Sequence, residues 1–262
     1  MAILAGASAS ITAGIMGSYV VAKRIVFISG SISHSVLGGM GLFLWLKRTY
    51  GISWMSPLNG ALLFALISAF LIGWVHLKHK EREDTIIAAL WSTGMSLGII
   101  FIALTPGYNV ELMHFLFGNI LWISKSDIFL ILGLDLIVLI CAFFFHNRFL
   151  AICFDEEQAR LQNVKVTWYY FLLLALIAVS VVLLIQVVGA ILVIAMLAIP
   201  AAIAGRFQNR MPHIMGLAIL LGIIFTVIGT SGSWYLNWPP GATIALTAAI
   251  FYSLSFYKKI PK

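Results

Sequence analysis

Long apolar runs separated by short polar stretches set the frame of this chain. Nine of them read as helical spans, at 2–22, 29–46, 57–77, 85–104, 127–146, 168–186, 188–205, 213–231 and 240–257. Each approaches the ~20 apolar residues that a helix needs to cross a hydrocarbon core of ~30 Å. Helix is the form to expect, because an open chain in lipid must satisfy its own backbone groups. The run Trp168–Ala204 is too long for one crossing. It is divided at Gln186–Gly189, where a polar side chain and a glycine permit a tight turn. The pattern predicts an all-α fold, a polytopic membrane helix bundle of about 8–9 transmembrane helices in one domain, 1–262.

Two stretches depart from that rhythm. Residues 105–126, TPGYNVELMHFLFGNILWISKS, have an apolar centre too short to cross, and their Trp and Tyr suit a membrane surface. They read as an interfacial or re-entrant helix. Residues 146–167 form the largest loop, in which Asp155, Glu156 and Glu157 precede a short helix-compatible stretch. Small residues mark packing faces: Gly6, Ser10, Gly14 and Gly17 in the first span, and Gly30, Ser31, Ser35, Gly38, Gly39 and Gly41 in the second.

Composition narrows the class. Apolar residues make up 62% of the chain and charged residues 10%, against about a quarter charged in a soluble domain. The net charge of +7 comes from basic residues in short loops, which points to the positive-inside rule and away from nucleic acid. An outside N-terminus and a cytoplasmic C-terminus place thirteen Lys and Arg inside and leave three outside: Lys47, Arg48 and Lys125. Cys141 and Cys153 form no metal-ligand spacing and read as packing residues. The N-terminus lacks the basic region of a cleaved signal peptide, and its abrupt first span points to a start upstream.

A polar residue inside a span is costly in lipid and is a functional candidate for that reason. His34 lies about ten residues past Lys23 and Arg24, roughly mid-membrane at 1.5 Å per residue. Its imidazole is either a neutral ligand for a transition metal or a histidine bonded to a neighbouring helix. Asp135, in ILGLDLIVL, is either a carboxylate on a cation or proton path or one bonded to a helix neighbour. Glu111 and His114 stand three apart on a short outer helix, facing a pore mouth or simply solvated. His76, His79, His146 and His213 lie beside Lys or Arg and read as solvated or lipid-facing. There is no P-loop, HExxH or GxSxG motif, so the chain is not expected to be an enzyme.

Four stretches carry a resemblance: GSYVVAKRIVFISGSISHSVLGG at 17–39, EDTIIAALWSTGMSLGIIF at 83–101, LFGNIL at 116–121 and VVGAILVIAMLAIPAAIA at 187–204. FDEEQA at 154–159 adds to them. Together they make the chain similar to the permease subunit of bacterial ATP-binding-cassette importers for zinc, manganese or iron. The resemblance implies a homodimer in the inner membrane with the path between its copies. It also implies cytoplasmic ATP-binding subunits and an extracytoplasmic metal-binding protein that delivers the ion. The segment after IPAA, at 204–213, would dock the ATPase through Arg206, Gln208 and Arg210.

One position departs from that family. Many members carry an aspartate four residues before the histidine, where this chain has Gly30. Positions four apart share a helix face, so the face of His34 lacks the usual carboxylate. A nitrogen-based site suits zinc better than manganese, which favours carboxylate oxygen. Zinc is therefore the favoured cargo, with manganese or iron as alternatives and no permanently bound cofactor expected. The competing readings are a secondary transporter coupled to an ion gradient through Asp135, an intramembrane enzyme, and a permease for vitamin B12 or siderophores.

Overall fold

The computed structural model describes residues 2–79, 83–106 and 125–256. Among them every regular element is an α-helix: α1 (Ala2–Lys23), α2 (Val26–Tyr50), α3 (Pro57–His79), α4 (Glu83–Leu104), α5 (Lys125–Phe154), α6 (Glu156–Leu161), α7 (Val166–Val188), α8 (Ala190–Phe207), α9 (Met211–Leu236) and α10 (Pro240–Ser255). Seven of these are long and apolar enough to cross a membrane: α1 to α5, α7 and α9. The other two predicted spans fall on shorter apolar helices, α8 with 18 residues and α10 with 16. All nine predicted runs thus lie on helices in the predicted order. Residues 105–126 fall almost wholly outside the described residues.

Helix ends follow local chemistry. Gly189 breaks the long run as predicted, with φ 88 between α7 and α8, a conformation that glycine adopts without a Cβ clash. Arg24 takes φ 64 after α1, and the Arg24 and Ile25 amides donate to the Val21 and Val20 carbonyls. That pair of bonds is a Schellman closure, which satisfies carbonyls the helix end would leave open. Asn163 closes α6 in the same way, at φ 57. Helix α5 runs to Phe154, eight residues past the predicted end at 146. Phe149 and Ile152 are fully buried there, so packing continues the helix through residues that look like a loop.

The chain forms two compact units, each assembled from separated stretches. The first joins Met1–Val26, Leu116–Asp155 and Leu183–Lys262. In it α1 packs tightly against α8 and α9. A Cβ on Gly17 would overlap the Leu197 carbonyl, and one on Gly14 would stand 2.8 Å from the Ile219 amide nitrogen. The hydroxyls of Ser10 and Ser18 donate to the carbonyls of Gly6 and Gly14 in their own helix. Such bonds keep hydroxyls satisfied where no water is present.

The second unit joins Phe27–Phe115 and Glu156–Val182. Here the small face of α2 meets both α3 and α4. A Cβ on Gly39 would overlap the Gly60 carbonyl, and one on Gly41 would lie 2.7 Å from the Gly98 carbonyl. Backbones approach this closely only where small residues face each other, the usual solution for helices that associate in lipid. Exposed Leu63, Ile67 and Phe70 on α3, and Ile99 and Ile100 on α4, present apolar surface outward, as lipid contact requires.

Candidate functional site

The second unit holds His34 on α2, about two turns from the helix start. Its backbone neighbours are locked. Ser31 Oγ donates to the Ile87 carbonyl at 3.0 Å, and a Cβ on Gly94 would stand 2.5 Å from Ser35 Cα. The α2–α4 crossing is therefore fixed by backbone proximity and hydroxyl bonds, and among the described residues the imidazole adds a ring contact to it but no hydrogen bond. His34 stays half-buried and lies flat on Trp91 of α4, with ring centroids 4.2 Å apart and planes 17° apart. Face-to-face stacking leaves both ring nitrogens at the edge of the stack. Among the described residues His34 makes no hydrogen bond.

Asp135 is placed quite differently, in the first unit. It is 3% exposed, and its carboxylate accepts from Ser8 Oγ at 2.5 Å, Thr12 Oγ1 at 2.6 Å and the Thr12 amide at 3.1 Å. Ser8 and Thr12 are four apart on α1 and share one face. The carboxylate thereby ties α5 to α1 through both of its oxygens. This is the helix-neighbour bonding that the sequence left open as one of two readings.

Glu111 and His114 lie outside the described residues. Among those described, no three of His, Cys, Asp and Glu gather closely enough to hold a metal ion.

Arg206, Gln208 and Arg210 come together on the turn between α8 and α9. Gln208 ends α8, its amide donating to the Ala204 carbonyl at 2.9 Å, and Arg210 opens α9 in an extended conformation. Pro212 in the first turn of α9 costs no helix bond, because the first amides of a helix have no partner inside it. The Arg206 guanidinium sits 4.0 Å from the centre of the Phe256 ring, a cation–π contact that holds it half-buried at the turn. Phe207, Asn209 and Arg210 are exposed beside it.

Sequence reasoning missed two histidine pairs. His76 was expected to be solvated or lipid-facing. Instead its Nε2 meets Glu156 Oε1 at 2.9 Å and its ring packs on Tyr170 at 4.8 Å, joining α3, α6 and α7. His146, given the same expectation, bonds the Tyr19 hydroxyl through Nδ1 at 2.9 Å. Each pair spans 80 residues or more, so no local spacing announces it. Trp91 was not singled out either; an aromatic on an apolar run gives no sign that a histidine stacks on it.

The comparisons with known proteins agree with this architecture. The ABC 3 transport family matches residues 1–259. A protein of Chlamydia pneumoniae named "probable metal transport system membrane protein" is 47% identical over 256 residues, which cover 98% of this chain and 87% of that protein. The manganese import system permease protein ScaB of Streptococcus parasanguinis is 31% identical over 256 residues, covering 98% and 89%. The solved structure of PsaBC from Streptococcus pneumoniae in complex with Fab is 31% identical and covers 97% of this chain and 89% of that one, with a TM-score of 0.84. With a match over nearly its whole length and the helical bundle to go with it, the chain belongs to the ABC 3 transport family, as a multi-pass plasma-membrane permease whose ATP is hydrolysed on a separate subunit.

Proposed function

We propose that this permease imports a divalent transition metal into the cytoplasm, with His34 as the transient ligand on its path. The observation that carries the reading is the His34 imidazole, inside a membrane helix, without a hydrogen bond among the described residues and stacked on Trp91. Relatives named for metal or manganese transport support the cargo class. Between zinc, manganese and iron, the donor chemistry favours zinc: position 30, one turn before His34, is glycine and supplies no carboxylate. Two copies in a homodimer would present two imidazoles. Asp135, fully bonded to α1, serves the bundle in this reading, and the energy for transport comes from the ATPase, not from an ion gradient through that carboxylate.

Uptake of labelled zinc and manganese, normalised to assembled complex in the membrane, tests the proposal. His34→Ala is expected to reduce uptake at least roughly tenfold, because a partly dehydrated cation loses its ligand. Near-normal uptake per complex would remove His34 from the path. Wild-type preference for manganese over zinc would overturn the zinc assignment and leave the path intact.

The turn between α8 and α9 is the proposed dock for the ATPase, on a cytoplasmic face that the charge distribution assigns. Its support is a short basic element, exposed at Phe207, Asn209 and Arg210, with the Arg206 guanidinium against the Phe256 ring. Cysteines at Gln208 and Arg210 are expected to crosslink to the ATP-binding subunit. If cysteines at Glu157 and Gln162 crosslink and these do not, the coupling element is α6.

A further inference from the structure

The approach of α4 to α2 is closed by groups other than Trp91. Ser31 Oγ donates to the Ile87 carbonyl at 3.0 Å, and Ser35 Oγ reaches the Leu90 carbonyl at 3.4 Å. A Cβ on Gly38 would stand 2.9 Å from the Gly94 carbonyl oxygen. These contacts bracket His34 at positions 31, 35 and 38, and bracket Trp91 at 87, 90 and 94. Both rings grow from backbone that is already held, so the indole is not what brings the two helices together. What it adds is a plane for the imidazole.

An imidazole does not keep one plane by itself, because the torsion about its Cβ–Cγ bond has broad wells. Against Trp91 the His34 ring is confined, with ring centroids 4.2 Å apart and planes 17° apart. Turning it edge-on would drive its atoms into the indole. Three turns further along α2 the same two helices make a looser ring pair, Trp45 and Phe101, 5.7 Å apart and tilted by 37°. A nitrogen lone pair lies in the plane of its ring, so a metal ion meets an imidazole at the edge while the indole keeps the face. The two contacts do not compete. As the nitrogen donates, the imidazole takes on positive charge, and indole is the aromatic face that best supports a cation.

We propose that Trp91 is the positioning residue for His34: its indole holds the imidazole in one plane, so that the nitrogens meet a passing divalent cation edge-on. This role rests on His34 being the transient ligand. An imidazole that is already held gives up less freedom when the cation arrives, an advantage of roughly two- to tenfold in rate. The advantage is larger for zinc, which takes imidazole readily, than for manganese, which prefers carboxylate and water. Trp91 thereby tunes selectivity as well as rate without touching the ion. A tryptophan that only filled space would change the number of working complexes and leave the preference between metals alone.

Uptake of labelled zinc and of labelled manganese by the assembled importer, each normalised to complex in the membrane, tests this role. The variants are Trp91→Leu, Trp91→Phe and His34→Ala. Trp91→Leu is expected to lower zinc uptake roughly two- to tenfold and manganese uptake less, so the zinc-to-manganese ratio falls. Trp91→Phe should keep rate and ratio within about a factor of two, since a smaller ring still stacks. Trp91→Met, which fills space flexibly without a ring, repeats the comparison if the leucine variant does not assemble. Equal falls for the two metals would overturn the proposal and make Trp91 a packing residue. Unchanged zinc uptake in Trp91→Leu, or a Trp91→Phe variant as impaired as Trp91→Leu, would overturn it too. The reading beneath it fails separately: near-normal zinc uptake in His34→Ala removes the ligand and its positioning residue together. Impaired His34→Ala beside a Trp91→Leu variant with normal rate and ratio keeps the ligand and overturns only the role of Trp91.

Discussion

His34 and Asp135 are both polar side chains inside apolar helices, and the two units treat them in opposite ways. Asp135 is 3% exposed and accepts three hydrogen bonds from α1. His34 is half-buried, stacked on one tryptophan, and without a hydrogen bond among the described residues. Both residues carry the cost of a polar group in lipid. In the first unit that cost is offset by bonds that join two helices. In the second unit it is not offset locally, although the helix crossing beside it is fully satisfied by Ser31, Ser35 and the glycines. A polar residue in a membrane helix is thus best judged by what its neighbours leave undone.

The comparison breaks most severely if the crossing beside His34 is disturbed. Gly39→Leu would force a side chain into the Gly60 carbonyl, and backbone cannot yield as a flexible side chain can. The expected result is loss of assembled complex from the membrane, read by native gel electrophoresis. Normal levels of assembled Gly39→Leu would show that the α2–α3 approach is looser than described.

A smaller effect sharpens the other half. Asp135→Ala strands the Ser8 and Thr12 hydroxyls and removes three bonds. Membrane hydrogen bonds average about 0.6 kcal/mol each, so a loss of roughly 2 kcal/mol is expected. It should appear as a lower thermal midpoint of the purified complex, with metal uptake per surviving complex close to wild type. Uptake that falls while the midpoint holds would return Asp135 to the ion path.

Much of this was legible in the sequence because lipid imposes strict rules. Apolar runs near 20 residues have to be helices, and the nine runs are. The Gly189 break was legible because one glycine between two apolar helices has a conformational reason to be there. The end of α5 was not, since His146, Asn147 and Arg148 look like a loop. What continues the helix is burial of Phe149 and Ile152 and the bond from His146 to Tyr19, more than 120 residues away in sequence. The candidate site was half legible. His34 stood out as a lone imidazole in an apolar run, but its Trp91 partner did not. Asp135 stood out too, while Ser8 and Thr12 looked like ordinary small residues at the start of α1. Sequence shows which polar groups need a partner, and tertiary contact alone shows which ones receive it.

The most direct test of the account sets the two residues side by side. Zinc uptake is measured for His34→Ala and Asp135→Asn in the same membranes, each normalised to assembled complex. The account predicts uptake at least roughly tenfold below wild type for His34→Ala, with unchanged assembly, and near-normal uptake per complex for Asp135→Asn. The reverse ranking, with Asp135→Asn inactive and His34→Ala transporting normally, would contradict it.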